Sequence, residues 1–440
     1  MNWLKQNVVI VILSAVIVVS LPVAWFISSG MNNSVRERQQ EAAAAAQREI
    51  SNASVTYTIP AALPGEQPIE VRSAPNRALT EWFASERERV TEDASGVLER
   101  ALAFNRGEHR PFVAELFPSA GTAQRTQQRM TEFRRLILGD GRTPSMYERL
   151  IAQHDGGGTA DTGRLYEALQ DLIERENERL RAERGSSAAP TEEDREALTR
   201  RLSERRLSEY RRRGREISFY MGTDAFFQDQ GRGSAYSQQW RSTDVAGGAD
   251  LFDAFIIQWD FWVFRDILAA IRAANTDSGG QRMPIERSVI KRVDRISVEE
   301  LPVYGEEPLA LRTSEARSED GLAPVDARHS LTGRVSSAEN SVYDVRRAEI
   351  VVVASSERLP AFFRALRRVN FMTVLGVNIE PVDAWADLQQ GFYYGDEHVV
   401  RATISVETVW LRSWTARLMP AELREALGAE LPAEDEDGMG

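Results

Sequence analysis

At about 150 residues per domain, a chain of 440 residues has room for two to four domains, and its 42% hydrophobic and 27% charged residues favour a buried core over global disorder. The net charge of -12 argues against a dedicated nucleic-acid binder, which carries a basic domain. The lack of cysteine excludes disulfides, thiolate zinc or iron–sulfur sites and a cysteine nucleophile. Four histidines (His109, His154, His329, His398) are too scattered to form a metal site, so no metal or cofactor is expected. All but two of the 54 basic residues, Lys5 and Lys291, are arginine. They are mixed with glutamate in the spacing of i,i+4 pairs on solvated helix faces.

Residues 1–7 form a short tail before an uncharged apolar run at 8–27, and a transmembrane helix is predicted over 8–28. At 1.5 Å per residue such a run spans about 30 Å, the thickness of the hydrocarbon core. Trp3 and Trp25 bracket it at interfacial spacing, and Pro22 lies near its far end. A cleaved signal peptide would have a shorter apolar region ending in small residues; Trp25, Phe26 and Ile27 stand there instead. Lys5 before the span and Arg36 and Arg38 after it do not decide orientation. A short cytoplasmic tail with the bulk of the chain exported from the inner membrane is the expected arrangement.

Residues 29–58, rich in Gln, Glu, Arg and Ala, are predicted to continue the span as a helical stalk. Pro60, Pro64, Pro68 and Pro75 mark 59–75 as a linker. A helical, coiled-coil region follows over 76–214. Phe83, Val90, Val97 and Phe104 recur every seven residues, one side of a coiled-coil seam and the candidate interaction residues. This seam either binds a partner's helix or closes within the chain as a helical hairpin.

Beyond Gly214 the pattern becomes α+β. A first unit over 215–305 has a short strand at 217–220, a long apolar helix at 250–274 and a strand at 288–298. A polar linker is expected over 306–340. The unit at 341–420 reads β-α-β-β: a buried strand at 347–354, a helix capped by Ser355 or Ser356, a strand alternating through Phe371, Thr373, Leu375, Val377 and Ile379, and a third strand presenting Val400, Ala402, Ile404, Val406 and Trp410 on one face. Gly391 and Gly395 flank Phe392, Tyr393 and Tyr394 at a predicted hairpin. Residues 421–440 are an acidic tail. Two helices end alike, in Ala-Ile-Arg-Ala-Ala-Asn275 and Ala-Leu-Arg-Arg-Val-Asn370, each followed by a β-rich segment, as in tandem βαβ-type units.

No GxSxG, HExxH, P-loop or helix-opening GxGxxG is present. Asp253 and Asp260 beside Trp259 and Trp262 imitate a glycosidase's carboxylates over an aromatic platform. An amphipathic helix with its rings in the core accounts for the same pattern. His398 beside Glu397 has no nucleophile nearby in sequence.

The tail, span, stalk and closing βαββ unit resemble the PilO and GspM class, inner-membrane alignment subunits of type IV pilus and type II secretion machines. Residues 346–420, with Leu359-Pro360-Ala361-Phe362-Phe363-Arg364-Ala365-Leu366, the strand at 374–381 and the last strand to Trp410, are also similar to Amuc-type pilus-associated envelope proteins. The resemblance covers about 1–55 and 341–412. It implies a ferredoxin-like fold for the closing unit, which the repeated hexapeptide extends to tandem ferredoxin-like βαβ-type units, with no catalytic residues and with envelope protein partners or self-association. The length, the helical region at 76–214 and the second α+β unit depart from that class. Two readings follow: a non-enzymatic scaffold in a pilus or secretion-like envelope complex, or an exported binding or sensor protein recognising a glycan or other ligand through aromatic clusters.

Overall fold

The computed structural model describes residues 7–60, 67–185, 190–226, 251–299, 332–334, 342–429 and 431. Most of the expected linker at 306–340 lies outside them, as does half of the expected acidic tail at 421–440, whose described part opens with a helix that buries Leu423 and Leu427. Two compact units result, residues 1–100 and 101–440.

In the first unit the apolar run opens one long helix, α1 (Val8–Asn52), which passes Pro22 without ending and has no buried residue. It is about 68 Å long, of which a hydrocarbon core takes about 30 Å. By length and composition it is the helix among the described residues able to cross a membrane. Next come the antiparallel strands β1 (Val55–Ile59) and β2 (Ile69–Ser73), where the sequence predicts the stalk's end and a linker. Pro60 and Pro68 flank this hairpin, so neither removes an N–H from the ladder. Period-2 alternation puts Tyr57 and Ile59 on one face, buried with Phe83 of α2 (Arg77–Arg106). The Tyr57 ring stacks on Phe83 at 5.0 Å and its hydroxyl meets Thr80 Oγ1 at 2.9 Å. Leu79 and Val90 complete the cluster. Phe83→Ala is expected to cost this unit about 3 kcal/mol, read as faster hydrogen exchange at the β1 amides with α1 unaffected.

The second unit continues with α3 (Ala123–Leu138), α4 (Met146–Gln153), β3 (Gly156–Gly157), α5 (Thr162–Arg184), α6 (Glu192–Glu216) and β4 (Phe219–Tyr220). Then come α7 (Leu251–Ala274), β5 (Ile290–Val298), β6 (Tyr343–Ser355), α8 (Leu359–Val369), β7 (Met372–Pro381), α9 (Ala384–Gln389), β8 (Val399–Leu411), α10 (Arg412–Thr415) and α11 (Ala421–Leu427). One six-stranded sheet runs in the order β3-β4-β5-β6-β8-β7. β3, β4 and β5 are parallel and the remaining pairs antiparallel. The predicted βαβ-type stretches thus supply strands to a single sheet, and their helices α7 and α8 pack on each other. Ala348, Ile350 and Val352 of β6 and Ala402, Ile404, Val406 and Trp410 of β8 share a buried core with those helices.

α5 and α6 pack together as a helical pair, joined by Arg201 and Glu176. A reciprocal capping box between Thr191 and Asp194 starts α6. β3 needs glycine: a Cβ on Gly156 would lie 2.7 Å from the Phe219 ring.

Three local expectations are corrected. Neither Ser355 nor Ser356 caps α8; its N-cap is Arg358, with no side-chain cap bond. Ser355 belongs to the sheet, donating its N–H to Val289. Residues 392–394 form a loop, not a hairpin, because Asp383 accepts from the N–H groups of Trp385 and Ala386 and starts α9 just before it. The alternation of 371–379 is broken, since the register shifts between Val374 and Gly376.

His154, at the C-terminal end of α4, has its pKa pulled down to about 4 by burial, with the cations Arg272 and Arg265 adding to the effect. An unfolded histidine binds its proton near pH 6.5, so between pH 6.5 and 4 the unfolded chain holds more protons than the native one. Stability is therefore expected to fall as pH falls through this window, by up to about 3 kcal/mol from this residue. Urea titrations of wild type and His154→Gln at pH 7 and pH 4.5 check this: the variant should lose less between them.

Candidate interaction surfaces

The fold distributes the four candidate seam residues rather than aligning them. Phe83 is buried and Val90 half-buried under the β1–β2 hairpin. Val97 is 58% exposed, in a stretch of α2 (residues 91–100) that is exposed almost throughout. Phe104, near the end of α2, lays its ring 5.0 Å from Phe371.

That end of α2 is held by a polar cluster that no sequence motif marks. Asn105 is fully buried; its amide donates to Asn370 Oδ1 at 2.9 Å and to the Val409 carbonyl at 2.7 Å. Its Oδ1 accepts from the Leu411 N–H and from Trp414 Nε1, both at 2.8 Å. All of its hydrogen-bonding capacity is thus met inside the core. His109 Nδ1 meets the Arg106 carbonyl at 2.7 Å and Nε2 meets Asp266 Oδ1 at 2.8 Å. Asp266 Oδ2 accepts from Asn370 at 2.6 Å. The rings of Trp262, Trp410 and Trp414 surround His109 at 5.2–6.0 Å. One sequence signal did point here, the asparagine closing each repeated hexapeptide. Asn370 caps α8, and Asn275, just past α7, bonds both the N–H and the carbonyl of Ile290.

Trp259 and Trp262 are buried, and Asp260 pairs with Arg346, which also lies over the Trp259 ring. The glycosidase-like pattern is therefore a core helix face. His398, exposed, meets Ser356 Oγ through Nδ1 at 3.0 Å. No group of three or more His, Cys, Asp or Glu suited to a metal ion occurs among the described residues.

The sheet face opposite α7 and α8 sets charged residues beside a small buried cluster of Tyr220, Ile285, Val353, Tyr394 and Val399. Arg292 pairs with Asp294 at 2.5 Å and Asp387 at 2.9 Å and lies 4.4 Å over the Phe392 ring. Tyr394 donates its hydroxyl to Asp387 at 2.8 Å, and burial pushes its pKa up. Phe392 and Tyr394 thus anchor their loop to the sheet. Lys291 is completely buried; its ammonium donates to the carbonyls of Ile285 and Glu286, each at 3.0 Å, and forms an ion pair with Glu397 at 3.1 Å. Burial lowers its pKa, and Glu397 opposes that shift.

Two surfaces stand out among the described residues of this unit. A groove of about 450 Å³ runs beside α6, lined by Leu207, Ser208 and arginines 211, 212 and 215 between Glu204 and Glu216. Arg212 is already held by Glu209 and Glu216, and Arg211 bonds Tyr393. The other is the β7 edge, where Val377 and Ile379 are 40% and 55% exposed, with Trp385 of α9 77% exposed just beyond.

No family model matches the chain, and no curated protein matches it. Among solved structures it is similar to the type 4 fimbrial biogenesis protein PilO from Pseudomonas aeruginosa, at 19% identity and a TM-score of 0.13, over 16% of this chain and 47% of that one. The similarity thus spans about half the length of the PilO structure. It is also similar to the core domain of an Akkermansia muciniphila protein, at 12% identity and a TM-score of 0.22, over 51% of this chain and 90% of that one. A further A. muciniphila structure shares 12% identity at a TM-score of 0.22, over 56% and 96% of the two chains. These scores lie below those of a shared fold, so the functional reading rests on this chain's own residues.

Proposed function

We propose that the protein is a non-enzymatic scaffold of a pilus or secretion-like envelope assembly. It is anchored in the inner membrane by α1, with the bulk of the chain on the extracytoplasmic side. The observation that carries this is α1 itself, whose apolar half is long enough to span a bilayer and whose polar half runs on as an exposed helix. A helix this long with no buried residue gains nothing from its own unit, and bilayer and partner proteins are what its two halves fit. The sequence resemblance of 1–55 and 341–412 to the PilO and GspM class supports the same reading, and it is there that tandem ferredoxin-like units and a coiled-coil region enter. The candidate contact residues are Phe83, Val90, Val97 and Phe104, of which Val97 is the most exposed.

The test has two parts. After an alkaline wash the full chain should remain in the membrane pellet, and a mature N-terminus just past Ser29 would contradict the anchor. Purified from detergent-solubilised membranes, it should bring envelope proteins with it. The exported binding or sensor reading rests on one observation, the exposed Trp385, because the larger aromatic clusters are buried. Retention on a glycan column, lost in Trp385→Ala, would favour it.

A further inference from the structure

We propose that His109 is held in the core as an imidazolium ion paired with the Asp266 carboxylate, a proton latch that closes the end of α2 at neutral pH and opens as pH rises. The latch lies within the second unit and is independent of the membrane anchor and of any partner.

Both nitrogens of the His109 ring face oxygens, Nδ1 the Arg106 carbonyl at 2.7 Å and Nε2 the Asp266 Oδ1 at 2.8 Å. A carbonyl only accepts, and so does an ionised carboxylate. A neutral imidazole has one N–H, so in either tautomer it sets a lone pair against one of these oxygens. A second proton on the ring turns both contacts into hydrogen bonds. Asp266 Oδ2 accepts from Asn370 at 2.6 Å, so both carboxylate oxygens meet donors and the anion is stabilised from two sides. The Trp414 ring stacks on the imidazole with centroids 6.0 Å apart and offers its π face to the cation. The two side chains are only 5% and 8% exposed, so water cannot replace a lost bond.

The other charges around His109 are paired or face solvent. α7 brings Arg265, which pairs with Glu108, and α10 opens with Arg412, which pairs with Asp344. Arg106 and Arg110 beside His109 are exposed, as are Arg367 and Arg368 before Asn370. Glu407 of β8 bonds Thr332. The cation of the latch is therefore answered by Asp266.

In an opened latch the histidine gives up its proton near the ordinary pH of about 6.5. Above that pH the closed form holds a proton that the open form has lost. Opening then becomes easier as pH rises, by up to about tenfold per pH unit for one proton. The turn it frees is the one that Asn105 ties to Val409, Leu411 and Trp414.

Hydrogen exchange of the full chain in detergent, divided by the intrinsic amide rates, reads opening at residues 104–109. Between pH 6.5 and 8.5 the wild type should lose protection there at up to about tenfold per unit. Asp266→Asn should remove this slope, because a carboxamide donates to Nε2 and still accepts from Asn370, so a neutral ring meets every contact. Equal slopes in the two proteins overturn the proposal. Should Asp266→Asn fail to fold, NMR of 15N-histidine-labelled protein carrying His154→Gln, His329→Gln and His398→Gln reads the ring directly, since His109 is then the sole histidine. At pH 8 both of its nitrogens should carry protons. One unprotonated nitrogen at that pH overturns the proposal.

Discussion

Replacing Leu366 by aspartate is expected to unfold the sheet-bearing unit, with a loss of about 4 kcal/mol or more. Leu366 lies fully buried on the face of α8 that meets the core formed with α7 and the sheet. Its cluster neighbours are apolar, so a carboxylate placed among them loses its hydration whether it stays charged or takes a proton. Urea denaturation of detergent-solubilised protein, followed by tryptophan fluorescence, reads the effect, since Trp259, Trp262, Trp410 and Trp414 are all buried. A transition midpoint equal to that of wild type would show that α8 does not pack as described. The loss should extend to α7 and β5, because α8 packs on α7 and β6 pairs with β5.

Asp344→Ala is expected to cost about 3–5 kcal/mol, the range for stripping one partner from a buried ion pair. Asp344 and Arg412 are both buried, and Asp344 Oδ1 accepts from Arg412 Nε at 3.1 Å and Nη2 at 2.7 Å. Arg412 also donates to the carbonyls of Leu427 at 2.9 Å and Gly428 at 3.3 Å, at the C-terminal end of α11, where the helix dipole favours a cation. Removing the carboxylate strips the buried guanidinium of the Asp344 pair while it keeps the carbonyls of Leu427 and Gly428. Limited proteolysis should then cut after residue 416, releasing α11 before the sheet opens. The double change Asp344→Leu with Arg412→Met should recover much of the loss, since the uncompensated charge is gone. No recovery would mean that Arg412 acts mainly through its bonds to α11.

Much of the secondary structure was legible because its signals are local. The uncharged run at 8–27 marks α1, the aromatic density of 251–274 marks a buried helix, and alternation marks β8 from Val400 to Trp410. Helix α5 and helix α6 were likewise readable from leucine spacing and the polar break between them. The β1–β2 hairpin was not, because four prolines across 59–75 read as a linker when the ladder is unseen. The break in β7 at Leu375 was hidden for a related reason: a bulge shows only against the partner strand.

Among the candidate interaction residues, the heptad spacing identified Phe83, Val90, Val97 and Phe104 but not their surroundings. Phe83 met a hairpin, Phe104 met Phe371, and Val97 stayed exposed, because neighbours distant in the chain decide what covers a helix face. The same holds for Asn105, His109, Asp266 and Asn370, whose partners lie up to 309 residues apart. Composition and periodicity by themselves determined the long apolar N-terminal helix, the lack of thiol chemistry, the α+β character and most element positions, since each depends on residues within a few turns of one another. Only the tertiary structure decided that both α+β stretches share one sheet, that Lys291 is a buried core residue paired with Glu397, and that β7 is an edge strand among the described residues. Burial, register and pairing are properties of contacts between segments, and a single sequence states the segments without the contacts.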